Sequence, residues 1–93
     1  MSSAPYTIHL TGSLDIETAD TLVEQVQAAA KHHETIRLDL SELGFLDSTG
    51  VGALVRLHQE LQQQGRELQL YGVSPDIREL LSLLGVLSIL NVS

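Results

Sequence analysis

The chain has 93 residues and a formal net charge of −7, from twelve acidic and five basic side chains. With 43% hydrophobic and 18% charged residues, it suits one folded domain with a modest core and is too small for a two-lobed enzyme with a deep cleft. Absence of cysteine excludes disulfides, thiolate metal sites and thiol nucleophiles, and no apolar run reaches the roughly 20 residues of a membrane helix.

Met1-Ser2-Ser3-Ala4-Pro5 lacks the basic and apolar regions of a signal peptide, so a cytoplasmic location is expected by default. Tyr6-Thr7-Ile8-His9-Leu10 alternates apolar and polar and is ended by Thr11-Gly12-Ser13, the pattern of a half-buried strand. His9 falls on its polar side. Leu14-Asp15-Ile16-Glu17-Thr18 then leads into a helix on which Ile16, Ala19, Leu22, Val23, Val26 and Ala30 share one face. Asp15 is the expected N-cap, with Glu17 and Asp20 near the positive end of the dipole. Lys31-His32-His33 closes the helix as favourable C-terminal charge. Adjacent helical residues do not face each other, so the His pair is a poor metal site.

Thr35-Ile36-Arg37-Leu38-Asp39-Leu40 alternates again as a second strand. A second amphipathic helix follows, marked by Val51, Leu54, Val55, Leu57 and Leu61, with His58 at the edge of the stripe and Gly65 as its stop. Glu67-Leu68-Gln69-Leu70-Tyr71 is a third strand. Ser74-Pro75 marks the start of a third helix, with Ile77, Leu80, Leu81 and Leu84 on one side and Gly85 as its end. Val86–Val92 is expected as a short last strand. Regular alternation of strand and helix predicts an α/β domain: a small, mostly parallel or mixed β-sheet with helices packed mainly on one face.

Between the second strand and second helix lies Leu43-Gly44-Phe45-Leu46-Asp47-Ser48-Thr49-Gly50-Val51-Gly52. It presents two hydroxyls at a helix N-terminus. One reading is plain capping by Ser48 or Thr49. Against it, Gly50 and Gly52 each cost the helix about 1 kcal/mol relative to alanine and permit close approach of another backbone or a partner. Nucleophilic catalysis needs a positioned base, and none of His9, His32, His33 and His58 is placed for it. A phosphate-cradling loop would need a lysine that is absent, and Asp47 alone is too little for Mg²⁺. A phosphorylation switch fits the position better. A phosphate adds about −1.5 to −2 charge, which the helix start tolerates. A partner docking on Leu46, Val51 and the turn would then meet an uncompensated charge in a drying interface.

The segment Leu38–Gly52, with its Asp47-Ser48-Thr49-Gly50 core, closely resembles the STAS domain, in particular the anti-sigma factor antagonists. Leu10-Thr-Gly-Ser-Leu-Asp15 and Gly72-Val73-Ser74-Pro75 with the helix ending at Gly85 extend the resemblance from about Ile8 to Leu87. It implies a single STAS domain over 1–93 with shortened N- and C-termini. It also implies a non-enzymatic module that sequesters an anti-sigma factor, itself a serine-protein kinase of histidine-kinase-like ATPase fold. By the same resemblance that kinase modifies Ser48, in preference to Thr49, and a PP2C-type phosphatase reverses it. Asp47, Thr49, Gly50 and Val51 flank the modified residue, and Asp15 with its neighbours forms part of the partner surface. No cofactor belongs to this chain, since ATP and Mg²⁺ go with the kinase. Nucleic-acid binding is not expected from five scattered basic residues (Lys31, Arg37, Arg56, Arg66, Arg78), nor is direct membrane insertion. Ser13 stands where the family usually has Glu. Short chains of this kind are also similar to the STAS subunits of lipid-trafficking ABC transporters, which bind and support the ATPase subunit.

Overall fold

The computed structural model describes residues 4–93. Three parallel strands, β1 (Tyr6–Leu14), β2 (Thr35–Leu46) and β3 (Glu67–Tyr71), lie in the order β1-β2-β3. Helix α1 (Ala19–Ala30) connects the first pair, α2 (Ser48–Gln63) the second, and α3 (Pro75–Leu83) follows β3. Strands laid down in consecutive order with right-handed crossovers place the connecting helices on the same side of the sheet. The expected fold class is therefore present.

Alternation decides which side chains meet the helices. Ile36, Leu38 and Leu40 of β2 and Leu68 and Leu70 of β3 are almost fully buried. From α1, Leu22, Val23 and Val26 pack onto them; from α2, Leu54, Leu57 and Leu61; from α3, Ile77 and Leu81. The opposite sheet face is polar. Thr7, Arg37 and Gln69 are in register across it, as are His9, Asp39 and Tyr71. The Arg37 guanidinium lies 4.3 Å from the Tyr71 ring centroid, and His9 Nδ1 is 2.9 Å from Asp39 Oδ2. His9 is thus exposed but paired. The Ser41 backbone N–H, 3.0 Å from the other Asp39 oxygen, and His9 hold this carboxyl below its usual pKa.

Several expectations need correction. β1 and β2 run on past Leu10 and Leu40, because shifts of register between His9 and Thr11 and between Gly12 and Ser13 carry the pairing to Leu14 and Leu46. The alternation breaks at those irregularities, so the strand pattern in the sequence stops there. The helix begins at Ala19 after Thr18, so Asp15 is not its N-cap and Ile16 lies before it, 74% exposed. Leu84 is 48% exposed, at the C-cap of α3. The expected last strand is one parallel bridge, Leu70 to Val92, because the N–H groups of Ile89 and Leu90 turn back to the Val86 carbonyl.

Gly65 and Gly85 end α2 and α3 as expected, with φ of +72° and +74°. In each case the following N–H bonds back across the helix end, Arg66 to Leu61 O and Val86 to Leu81 O. This six-to-one closure is the Schellman arrangement that a left-handed glycine allows.

Candidate functional site

The carboxyl ends of β1 and β2 meet at one corner, where Leu14 is in register with Leu46. There the chain turns twice: from β1 into the loop 15–18, and from β2 into α2. The Asp47 N–H donates to the Leu14 carbonyl at 3.3 Å, joining the two turns.

The start of α2 is capped by Asp47. Its backbone is extended (φ −109°, ψ −177°), and its carboxylate accepts the Gly50 N–H at 2.9 Å. The Val51 N–H bonds the Asp47 carbonyl at 2.9 Å. The capping reading had given this task to Ser48 or Thr49. Asp47 performs it, so no cap consumes either hydroxyl. Both residues are exposed, in the first two helical positions, whose N–H groups lack partners within the helix.

The two glycines differ. A Cβ on Gly50 would collide with the Leu14 carbonyl oxygen and come within 2.8 Å of Leu46 Cδ1. Gly50 therefore lets α2 press against the end of β1. A Cβ on Gly52 would meet nothing within 4 Å. The close-approach argument holds for the first and not, within the chain itself, for the second.

The loop 15–18 is tied by one hydroxyl. Thr18 Oγ1 donates to the Ser13 carbonyl at 2.9 Å and accepts the Asp15 N–H at 2.9 Å. The Asp15 carboxylate in turn accepts the Glu17 N–H at 3.0 Å and the Ser13 hydroxyl at 3.1 Å. These donors, the Glu17 N–H foremost, hold the Asp15 pKa below its ordinary value. Ile16 sits inside this tied loop and is exposed.

The apolar surface here is not the one anticipated. Leu46 and Val51 are buried, at 6% and 4% exposure, because both side chains point into the core beneath the turn. The exposed apolar groups are Ile16 and Phe45, the latter 56% exposed. Phe45 belongs to the stretch that leads into the turn. Ile16 was missed because its spacing matched the stripe of α1; the Asp15–Thr18 turn signal was the clue.

The remaining candidates lie elsewhere. His33 Nδ1 is 3.1 Å from the Ala4 carbonyl oxygen and its ring is 5.0 Å from Tyr6; His32 is exposed. Among the described residues no group of three His, Asp or Glu side chains is arranged around a common point. A cavity of about 450 Å³ between Gln27, Lys31, Glu60 and Arg66 sits at the far ends of α1 and α2, away from the Ser48 turn. No helix among the described residues is long and apolar enough to cross a membrane.

Comparison with known proteins points to one group. Residues 1–91 match the family model described as Mlab, STAS domain. The anti-sigma-B factor antagonist of Listeria monocytogenes is 31% identical over 86 residues, covering 91% of this chain and 75% of that protein. Among solved structures, the anti-sigma factor antagonist SpoIIAA in its unphosphorylated form superposes with a TM-score of 0.78 at 24% identity, covering 96% of this chain and 79% of the other. The Bacillus cell fate determinant SpoIIAA in its phosphorylated form gives 0.72 at 24% identity, covering 96% and 82%.

Proposed function

The chain belongs to the STAS domain family, and from that premise we propose that it is an anti-sigma factor antagonist whose binding is switched by a phosphate on Ser48. The observation that carries this reading is the division of labour at the start of α2: Asp47 caps the helix and leaves the exposed Ser48 hydroxyl free to be modified. Thr49 is exposed as well, and Ser48 is preferred because it directly follows the Asp. A phosphate there lies against the Ser48 and Thr49 N–H groups, where the helix dipole favours negative charge. The fold survives, and the change is felt by the partner.

The partner surface is revised from the sequence expectation. Ile16 and Phe45 supply the exposed apolar contact, and Asp15, Asp47, Thr49 and the Gly50 backbone frame it. Leu46 and Val51 act from beneath, by holding the turn. The partner is an anti-sigma factor that is also a serine kinase of histidine-kinase-like ATPase fold, with a PP2C-type phosphatase resetting the switch. The chain acts in the cytoplasm by binding, without catalysis or cofactor of its own. Support comes from the antagonist relatives.

Intact-protein mass spectrometry of the chain from its native cell, with and without phosphatase, tests the switch. A single phosphate mapped to Ser48 is expected. Ser48→Asp should keep the circular dichroism spectrum and weaken partner binding about tenfold or more, which corresponds to roughly 1.4 kcal/mol. The matching family model carries a different name from the antagonist relatives, so a second reading stands beside the first: a STAS subunit that supports the ATPase subunit of a lipid-trafficking ABC transporter. A chain without phosphate under every growth condition, co-purifying with a membrane ATPase, would replace the first reading with the second.

A further inference from the structure

The sheet has one edge with an unpaired flank. β1 bonds β2 on one side, and among the described residues no strand lies against its other side. At the opposite edge the Leu70 N–H donates to the Asn91 carbonyl at 2.9 Å and the Ser93 N–H to the Leu70 carbonyl at 3.0 Å, so that edge is partly covered. Proteins blunt open edges with charges, prolines or very short strands. β1 uses none of these, since Tyr6–Leu14 includes no Asp, Glu, Lys, Arg or Pro; bulges are another such device, and its two register irregularities lie past His9.

On the side facing α1 the surface beside this edge is uncharged as well, whereas on the other face Asp39 and Glu42 lie beside His9 and Leu10. Two cavities of about 450 and 310 Å³ lie along β1 and α1, with Gln25 shared between them. Thr7, Ile8 and Leu10 line them from the strand, and Thr21, Gln25 and Ala28 from the helix. No Asp, Glu, Lys or Arg lines either. Two copies of a chain with net charge −7 repel each other, least where neutral surface meets neutral surface.

The register is set by the first slip in β1. Before it lies Tyr6–Leu10, centred on Ile8. An antiparallel pair with its two-fold axis at Ile8 sets Ile8 against Ile8, Tyr6 against Leu10, and Thr7 against His9. Side chains alternate along a strand, so the apolar three share the helix-bearing face and the polar two share the other. Such cross-strand matches are the ones that stabilise a sheet, and a two-fold axis makes the contact self-complementary.

We propose that β1 is a dimerisation edge, through which a second copy of this chain pairs antiparallel over Tyr6–Leu10. The two sheets become one, and the α1 helices flank the axis with their uncharged sides. The Ser48 turn lies past Leu14, at the other end of β1, so each copy keeps it free. The proposal stands independently of the reading of that turn.

Sedimentation equilibrium of the full chain from micromolar to millimolar concentration tests it. The mass should rise from 10.1 kDa towards twice that value, and hydrogen exchange should show the Tyr6–Leu10 amides gaining protection as it does. The double variant Gln25→Glu, Ala28→Glu, at two exposed helical positions, should raise the half-association concentration about tenfold or more through like-charge repulsion. His9→Lys, which places a fixed cation on the strand, should do the same even if the helix variant fails to fold, since an edge lysine opposes pairing. A chain that remains a monomer at millimolar concentration overturns the proposal. So does a dimer that ignores these variants and dissociates on Leu83→Ser, since the copies would then meet through the exposed end of α3.

Discussion

The starts of α2 and α3 are built from similar parts and put them to different uses. Both follow a parallel strand, and both are capped by an oxygen that accepts an N–H three residues on. In α3 the cap is a hydroxyl: Ser74 Oγ accepts the Ile77 N–H at 3.2 Å, and Pro75 occupies the first turn. That hydroxyl is spent on structure. In α2 the cap is the Asp47 carboxylate, one residue earlier than the hydroxyls. Moving the cap back by one residue places Ser48 and Thr49 on the helix, exposed and free for chemistry. A serine at a helix start is therefore not one kind of residue; its role depends on whether it is the cap or follows it.

The sharpest way to break the α2 start is to fill the space at Gly50. Gly50→Ala puts a methyl against the Leu14 carbonyl and Leu46 and should cost about 3 kcal/mol in urea unfolding, the upper range for overpacking. No residue at the α3 start should be so intolerant. Next come the caps. Asp47→Ala and Ser74→Ala should each cost about 1 kcal/mol, whereas Ser48→Ala should change stability by less than about 0.5 kcal/mol. Equal losses at Ser48 and Ser74 would erase the distinction drawn above. Gly52→Ala meets open space and should stabilise by roughly 0.5–1 kcal/mol; if partner binding falls while stability rises, Gly52 is kept for the partner.

The smallest expected effect is a dependence on acid. Asp15 has a folded pKa below its ordinary 3.8, caused first by the Glu17 N–H. A depressed carboxyl contributes stability above its unfolded pKa and loses it as pH falls through the folded value. Thermal melts below pH 3.8 should therefore fall less steeply for Asp15→Asn than for the parent chain. The difference is modest, because Asp15 is near the surface. Parallel curves would mean that the 15–18 loop is ordered by other contacts.

Much of the fold was legible because its signals are local. Alternation at Ile36, Leu38 and Leu40 announced β2, and Ser74-Pro75, Gly65 and Gly85 announced helix ends through backbone chemistry that any chain must obey. What escaped depends on long-range pairing. The continuation of β1 to Leu14 follows from its irregular register with β2, which no periodicity within β1 reveals. Ile16 fits the helical stripe by spacing yet lies outside the helix, because the Thr18 hydroxyl ties the Asp15 turn first. At the turn the motif located Ser48, but burial of Leu46 and Val51 comes from the packing of α2 on Leu14. The last strand contracted to a bridge because residues after Gly85 satisfy their own backbone locally. Ser48 as the modified residue rests on the proposed function and awaits its test.

The all-parallel sheet also governs how the chain can reach its shape. With no hairpin in the β1-β2-β3 sheet, its first strand contact already spans a long loop; His9 and Asp39 are 30 residues apart. Closing such loops costs entropy before any pairing repays it, which slows folding. On the ribosome, β1 has no strand to pair with until all of α1 and then β2 have emerged. During that interval the strand groups that β2 will satisfy are left to water, so β1 is the last part of the N-terminal third to gain its native backbone partners.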